Sequence, residues 1–291
     1  MTSLSSPKSI QEVIRNVPQH WVGDGFPVRS LFSYADGNRF DPFLLLDHAG
    51  PHRFEPSSQK RGVGEHPHRG FETVTIVYEG ELEHRDSSGS HGRIGPGDVQ
   101  WMTAASGVVH EEFHSQKMTE QGGSLEMVQL WVNLPAKLKM SKPRYQSIVD
   151  GQIPRHALGE AGYVRVIAGT YQGMQGAAKT YSPIEVWDIR LQQSAEVELP
   201  IPATFHASLL VQQGSLHIAD ESFYAGELIR LSREGDHFTV RIDGDSQVLV
   251  LAGKPLDEPV AGYGPFVMNT REEIQQAIDD YRAGRMGHLI D

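Results

Sequence analysis

Cysteine is absent from this 291-residue chain. Its absence excludes a disulfide framework, a thiolate zinc site and a cysteine nucleophile. No apolar run approaches the roughly 20 residues of a membrane helix. The first residues, Met1 to Pro7, are polar and carry no hydrophobic segment of a secretory leader. The expected compartment is therefore the cytoplasm, with the nucleus an option in a eukaryotic host, although no basic cluster marks it. Positive charge is in short supply: 26 Lys and Arg against 37 Asp and Glu leave a net charge of −11. That balance argues against direct nucleic-acid binding, which needs Lys and Arg clustered on phosphates. It is compatible with a basic protein partner. Glycine-rich dinucleotide and P-loop patterns are missing too.

Turn residues are plentiful, with 30 Gly and 17 Pro. Between them lie short runs of β-branched and aromatic residues, such as Thr73–Tyr78, Leu125–Val132, Tyr163–Ile167 and Gln247–Leu251. This rhythm predicts an all-β protein of sandwich or barrel type. One helix is expected over 270–283, opened by a capping box of Thr270 and Glu273 and stopped at Gly284. A weak internal repeat sets the run from Phe71 to Leu82 beside that from Phe205 to Leu216, with Gly80 and Gly214 in one frame. It predicts two related β domains. The boundaries read as 1–141 and 155–291, with the proline-bearing stretch 142–154 as linker.

The chemistry concentrates in the first half. His66–Pro67–His68 and His110–Glu111–Glu112 each place two side chains on one face of a strand. Two such strands inside a small barrel can bring three imidazoles and a carboxylate onto one metal ion. The set suits Fe, Mn, Co, Ni, Cu or Zn, and leaves room for substrate or O₂. Surface or core histidines are the alternative, and one H-x-H alone would favour it. Glu72 shares parity with His66 and His68 and competes with Glu112 as the carboxylate; otherwise it is expected in the pocket or behind a ligand. Met102 is a candidate pocket residue. Arg69 and Arg85 could orient an anionic substrate or pair with acids such as Glu72 and Asp86. His84 and Asp86 form another same-face pair, which the turn at Gly80 is expected to carry away from the site. Trp101 and Trp131 read as core.

The stretches His66–Val74, Gly97–Ala104 and Gly107–Glu112 resemble the signature of the pirins, a family of the cupin superfamily. Leu130–Leu134 and Gly264–Thr270 extend the resemblance to most of the chain. It implies a bicupin: two cupin-type antiparallel β-barrels (double-stranded β-helices), with one metal, usually iron, in the first. The family's ligands fall on His66, His68, His110 and Glu112. Ala105 stands where pirins usually have glycine, with no expected effect on the ligands. On the repeat, Pro200, Pro202, Phe238 and Val240 take the places of the four ligands, so the second domain is expected to hold no metal. His206 and His217 then read as structural or exposed.

Two functions follow from the resemblance. The first is a quercetin 2,3-dioxygenase-type oxygenase using Fe(II), or Mn, Ni, Co, Cu or Zn, on a flavonol-like aromatic substrate and O₂, with release of carbon monoxide. Glu112 would be ligand and base. The second is a metal- or redox-dependent regulator that binds a protein partner without turnover. A monomer is the default, and no membrane association is expected.

Overall fold

The computed structural model describes residues 6–289. These residues are mostly antiparallel strand, as the β-branched runs predict. They divide into two compact units. The first comprises Pro18–Asn38, Pro42–Asp150 and the chain from Leu256 onwards. The second comprises the chain up to Val17, Arg39–Asp41 and Gly151–Pro255.

In the first unit a seven-stranded sheet runs Arg144–Ile148, Val99–Thr103, Phe71–Glu79, Gly123–Asn133, Phe43–Phe54, Phe26–Ser33, His20–Val22. A four-stranded sheet runs Gly62–His68, Val108–His114, Leu82–Asp86, His91–Ile94. The ladders stay separate, so the expected barrel is an open one. Gly70 makes the corner from one sheet to the other. Its φ is +92°, and a Cβ there would lie 2.0 Å from the carbonyl oxygen of Val267. Gly80 then turns the chain back at φ +88°.

The second unit repeats the plan. Its large sheet runs Ile10–Ile14, Leu228–Leu231, His206–Gln213, Ser246–Gly253, Ile184–Leu191, Gly162–Ala168, Arg155–Ala157. Its small sheet runs Ala195–Leu199, Phe238–Ile242, Ser215–Ile218, Glu221–Tyr224. Gly214 turns at φ +75°, matching Gly80. Phe238, Val240, Leu199 and Ile201 join one buried apolar cluster, so hydrocarbon fills the space between the sheets.

Both ends of the chain depart from the expected boundaries. The stretch read as linker supplies Arg144–Ile148, which pairs with Val99–Thr103 at the edge of the first unit's sheet. The terminal helix, Arg271–Arg282, belongs to the first unit, not the second. Val109, Phe266, Met268, Ile274, Ala277 and Met286 form the cluster that docks it. The near-N-terminal strand Ile10–Ile14 edges the second unit's sheet instead. Edge pairing depends on long-range register, which local proline content does not report. The helix itself starts with the expected capping box of Thr270 and Glu273, and Gly284 follows at φ +71°.

Candidate metal centre

The small sheet of the first unit carries the histidines. His110 pairs in register with His66 on one side and Asp86 on the other. Glu112, beyond a bulge, pairs with Val63 and His84. Ligand-type atoms of His66, His68 and His110 lie within 4.8 Å of one another, and so do those of His84, His110 and Glu112. His110 is common to both groups.

The ring nitrogens indicate which atoms are free. His66 Nδ1 lies 2.8 Å from the carbonyl oxygen of Gly64, and His68 Nδ1 lies 3.3 Å from that of Pro265. A carbonyl only accepts, so each Nδ1 carries a proton, and in the neutral ring the lone pair lies on Nε2. His110 Nε2 is buried and has no hydrogen-bond partner. Burial first, and the neighbouring imidazoles second, hold His68 and His110 well below the usual histidine range. Both rings are therefore neutral at neutral pH, as a metal ligand must be. Three imidazoles beside a carboxylate, with no sulfur, fit a first-row divalent ion.

A polar row on the large sheet backs Glu112. Gln100 Nε2 donates to Glu112 Oε1 at 3.1 Å. The Thr75 hydroxyl lies 2.9 Å from Gln129 Oε1 and 3.3 Å from Glu112 Oε1. Cross-strand register aligns Gln100, Thr75, Gln129 and Asp47 on four successive strands. Beside the histidines opens a cavity of about 200 Å³. Phe26, Val28, Leu45 and Met127 give it apolar walls, while His66, His68, Glu112 and Asp47 also line it. Asp47 is 8% exposed, and its Oδ1 has no partner. Burial pushes its carboxyl above the usual range, against a hydrogen bond from Ser30.

Several sequence-level candidates take other places. Glu72 is not in the pocket. Gly70 breaks the strand between it and His68, so parity does not carry across, and Glu72 sits on the sheet face opposite Phe71 and Thr75. Thr103 donates to it at 2.6 Å, and burial pushes its carboxyl up to about 7. Arg69 does not face a ligand either: it donates to Ser106 O and Asp280 Oδ2, both at 2.7 Å. Arg85 pairs with Glu111. Met102 packs with Ala104, Val108 and Tyr145 and does not line the cavity. Trp131, read as core, is half-buried, lines the cavity and stacks on Phe71 at 4.3 Å. His84 and Asp86 are not carried away; His84 Nδ1 lies 3.4 Å from His110 Nδ1. Trp101 is fully buried, as expected. Ala105 adopts φ +45°, a conformation that favours glycine.

Among the described residues no group of potential ligands forms in the second unit. His206 binds the carbonyl of Asp41, and His217 binds Asp243 and Ser222.

Comparison with known proteins gives the context. The Pirin family model matches residues 25–132, and the model of the Pirin C-terminal cupin domain matches 186–287. A Pseudomonas aeruginosa protein named "Putative quercetin 2,3-dioxygenase" is 55% identical over 280 residues, 96% of this chain and 98% of that relative. A Caulobacter vibrioides pirin-like protein is 39% identical over 280 residues, covering 95% and 99%. The crystal structure of quercetin 2,3-dioxygenase from Acinetobacter baumannii superposes with a TM-score of 0.94 at 49% identity, covering 98% of this chain and all of that one. With both family models matched and relatives aligned almost end to end, this chain belongs to the pirin family.

Proposed function

We propose that this chain is a metal-dependent dioxygenase that opens the ring of a flavonol-like substrate, with His66, His68, His110 and Glu112 holding one divalent ion, iron(II) first among the candidates. One observation carries the reading: the buried, unpartnered Nε2 of His110 beside two rings whose Nδ1 protons are bound to carbonyls. The relatives named for quercetin oxidation supply the reaction class. When bound, the ion supplies Lewis-acid activation of an enolic hydroxyl and a redox path to O₂.

The chain's own groups do the rest. Phe26, Val28, Leu45 and Met127 exclude water from one side of the ligand. Trp131, stacked on Phe71 and lining the cavity, adds an aromatic wall against which an aromatic ring can pack. Glu112 is placed to accept the hydroxyl proton, steadied by Gln100. Asp47 offers an acceptor oxygen to a second hydroxyl of the ligand.

The test is direct. Protein loaded anaerobically with Fe(II) is mixed with quercetin and oxygen, and the flavonol absorbance is followed together with released carbon monoxide. Catalytic loss that vanishes in His66→Ala is expected. No loss with several metals at full occupancy would leave the ion-holding protein without this reaction and favour a regulatory role.

A further inference from the structure

Asp86 is anchored from both sides. Its Oδ1 accepts from the Ser88 backbone N–H at 2.8 Å, the Ser88 hydroxyl at 2.6 Å and the Ser90 backbone N–H at 3.1 Å. Its Oδ2 lies 3.1 Å from His84 Nε2, in a pair whose side chains are each 1% exposed. A carboxylate only accepts, so His84 carries a proton on Nε2, which in the neutral ring leaves the lone pair on Nδ1.

A second contact demands the same arrangement. Glu112 can only accept, so Gln100 turns its amide nitrogen towards it; the other amide oxygen receives the Tyr145 hydroxyl at 3.2 Å. That nitrogen lies 3.3 Å from His84 Nδ1 and can only donate to it. Tyr145 also stacks on His84, with ring centres 5.1 Å apart and planes 17° apart, which fixes the ring's plane. His110 Nδ1 approaches the same lone pair at 3.4 Å. Two imidazole nitrogens face to face need one proton between them, and here His110 must carry it. The unprotonated nitrogen of His110 is then Nε2, the atom with no protein partner.

We propose that Asp86, acting through His84, is a positioning residue that fixes His110 in its Nδ1–H tautomer and so aims the Nε2 lone pair at the metal. This rests on the metal centre proposed above. The strand pairing of His110 with Asp86, and of Glu112 with His84, builds the relay into the sheet. An outer-shell partner normally touches its ligand directly; here the carboxylate works through an intervening imidazole.

Asp86→Asn gives a sharp test, because three donors hold Oδ1 in place. The oxygen of the substituted amide stays with those donors, and its NH₂ faces His84. His84 Nε2 then becomes an acceptor, Nδ1 a donor, and the proton on His110 moves to Nε2. Binding of Co(II) to the metal-free variant is expected to weaken roughly 10- to 100-fold. Ser88→Ala, which spares Oδ2, is expected to bind within about threefold of wild type, a shift far below that of an outer-shell loss. Nitrogen-15 spectra of the metal-free wild type should show His110 protonated at Nδ1, and the variant should reverse it. Co(II) affinity of Asp86→Asn within about threefold of wild type would overturn the proposal, because an outer-shell loss is larger. So would a wild-type His110 protonated at Nε2, a readout that needs no variant to fold. A wild type that binds no metal would instead remove the centre, while the nitrogen spectra still judge the tautomer.

Discussion

In the proposed centre His66, His68 and His110 act through one ring nitrogen each, and for His66 and His68 a backbone carbonyl selects it. Gly64 and Pro265 supply the carbonyls that bind two of the Nδ1 protons. Alternation along an extended strand already groups these rings and Glu112 in the sequence. It does not reveal Asp47, Gln129, Thr75 or Gln100, which meet the site only through cross-strand register. His84 escapes a reading by alternation for the same reason. The turn at Gly80 reverses the chain, and hydrogen bonding to Val108–His114 returns His84 to His110. At this scale, Asp47→Asn is expected to raise the quercetin KM about tenfold, the worth of one good hydrogen bond, with little change in metal content. Steady-state kinetics beside elemental analysis check this; an unchanged KM would remove Asp47 from substrate binding.

The C-terminal helix shows how an element can be legible while its place is not. Thr270, Glu273 and Gly284 mark its ends in the sequence, yet its docking depends on Arg69, far away in the chain. That ion pair is nearly buried, with side chains 4% and 12% exposed. Arg69→Ala leaves Asp280 without its inner partner, and a loss of about 3 kcal/mol of stability is expected, read by denaturant unfolding. Burial opposes ionisation of Asp280, but hydrogen bonds from Arg69, Gln276 and Arg285 prevail and pull its carboxyl down to about 2. A depressed folded value means a stabilisation present above the unfolded value of about 4 and lost as pH falls. The gap in stability between wild type and Asp280→Asn should therefore narrow from about pH 4 to about pH 2. A gap constant over that window would show that the charge does not hold the helix.

Across the molecule, the repeat of Gly80 and Gly214 correctly signals two units of one plan; among the described residues the groups of potential ligands lie in the first unit, while Phe238 and Val240 of the second join its apolar core. The unit boundaries are not legible, because the second unit's large sheet takes its edge strand Ile10–Ile14 from the other end of the chain, and the first unit takes its docking helix from the far end. Ending the chain after Pro255 should therefore injure the first unit: it removes the Pro265 carbonyl from His68 and Asp280 from Arg69. Metal binding is expected to fall with it, although every proposed ligand remains. Retained metal in that truncated chain would contradict this division. The most direct measurement is anomalous diffraction from metal-loaded crystals. A single strong peak at roughly 2.0–2.2 Å from the Nε2 atoms of His66, His68 and His110 and from a Glu112 oxygen is predicted. A peak in the second unit, or fully loaded protein whose ion is bound by other residues, would contradict the account.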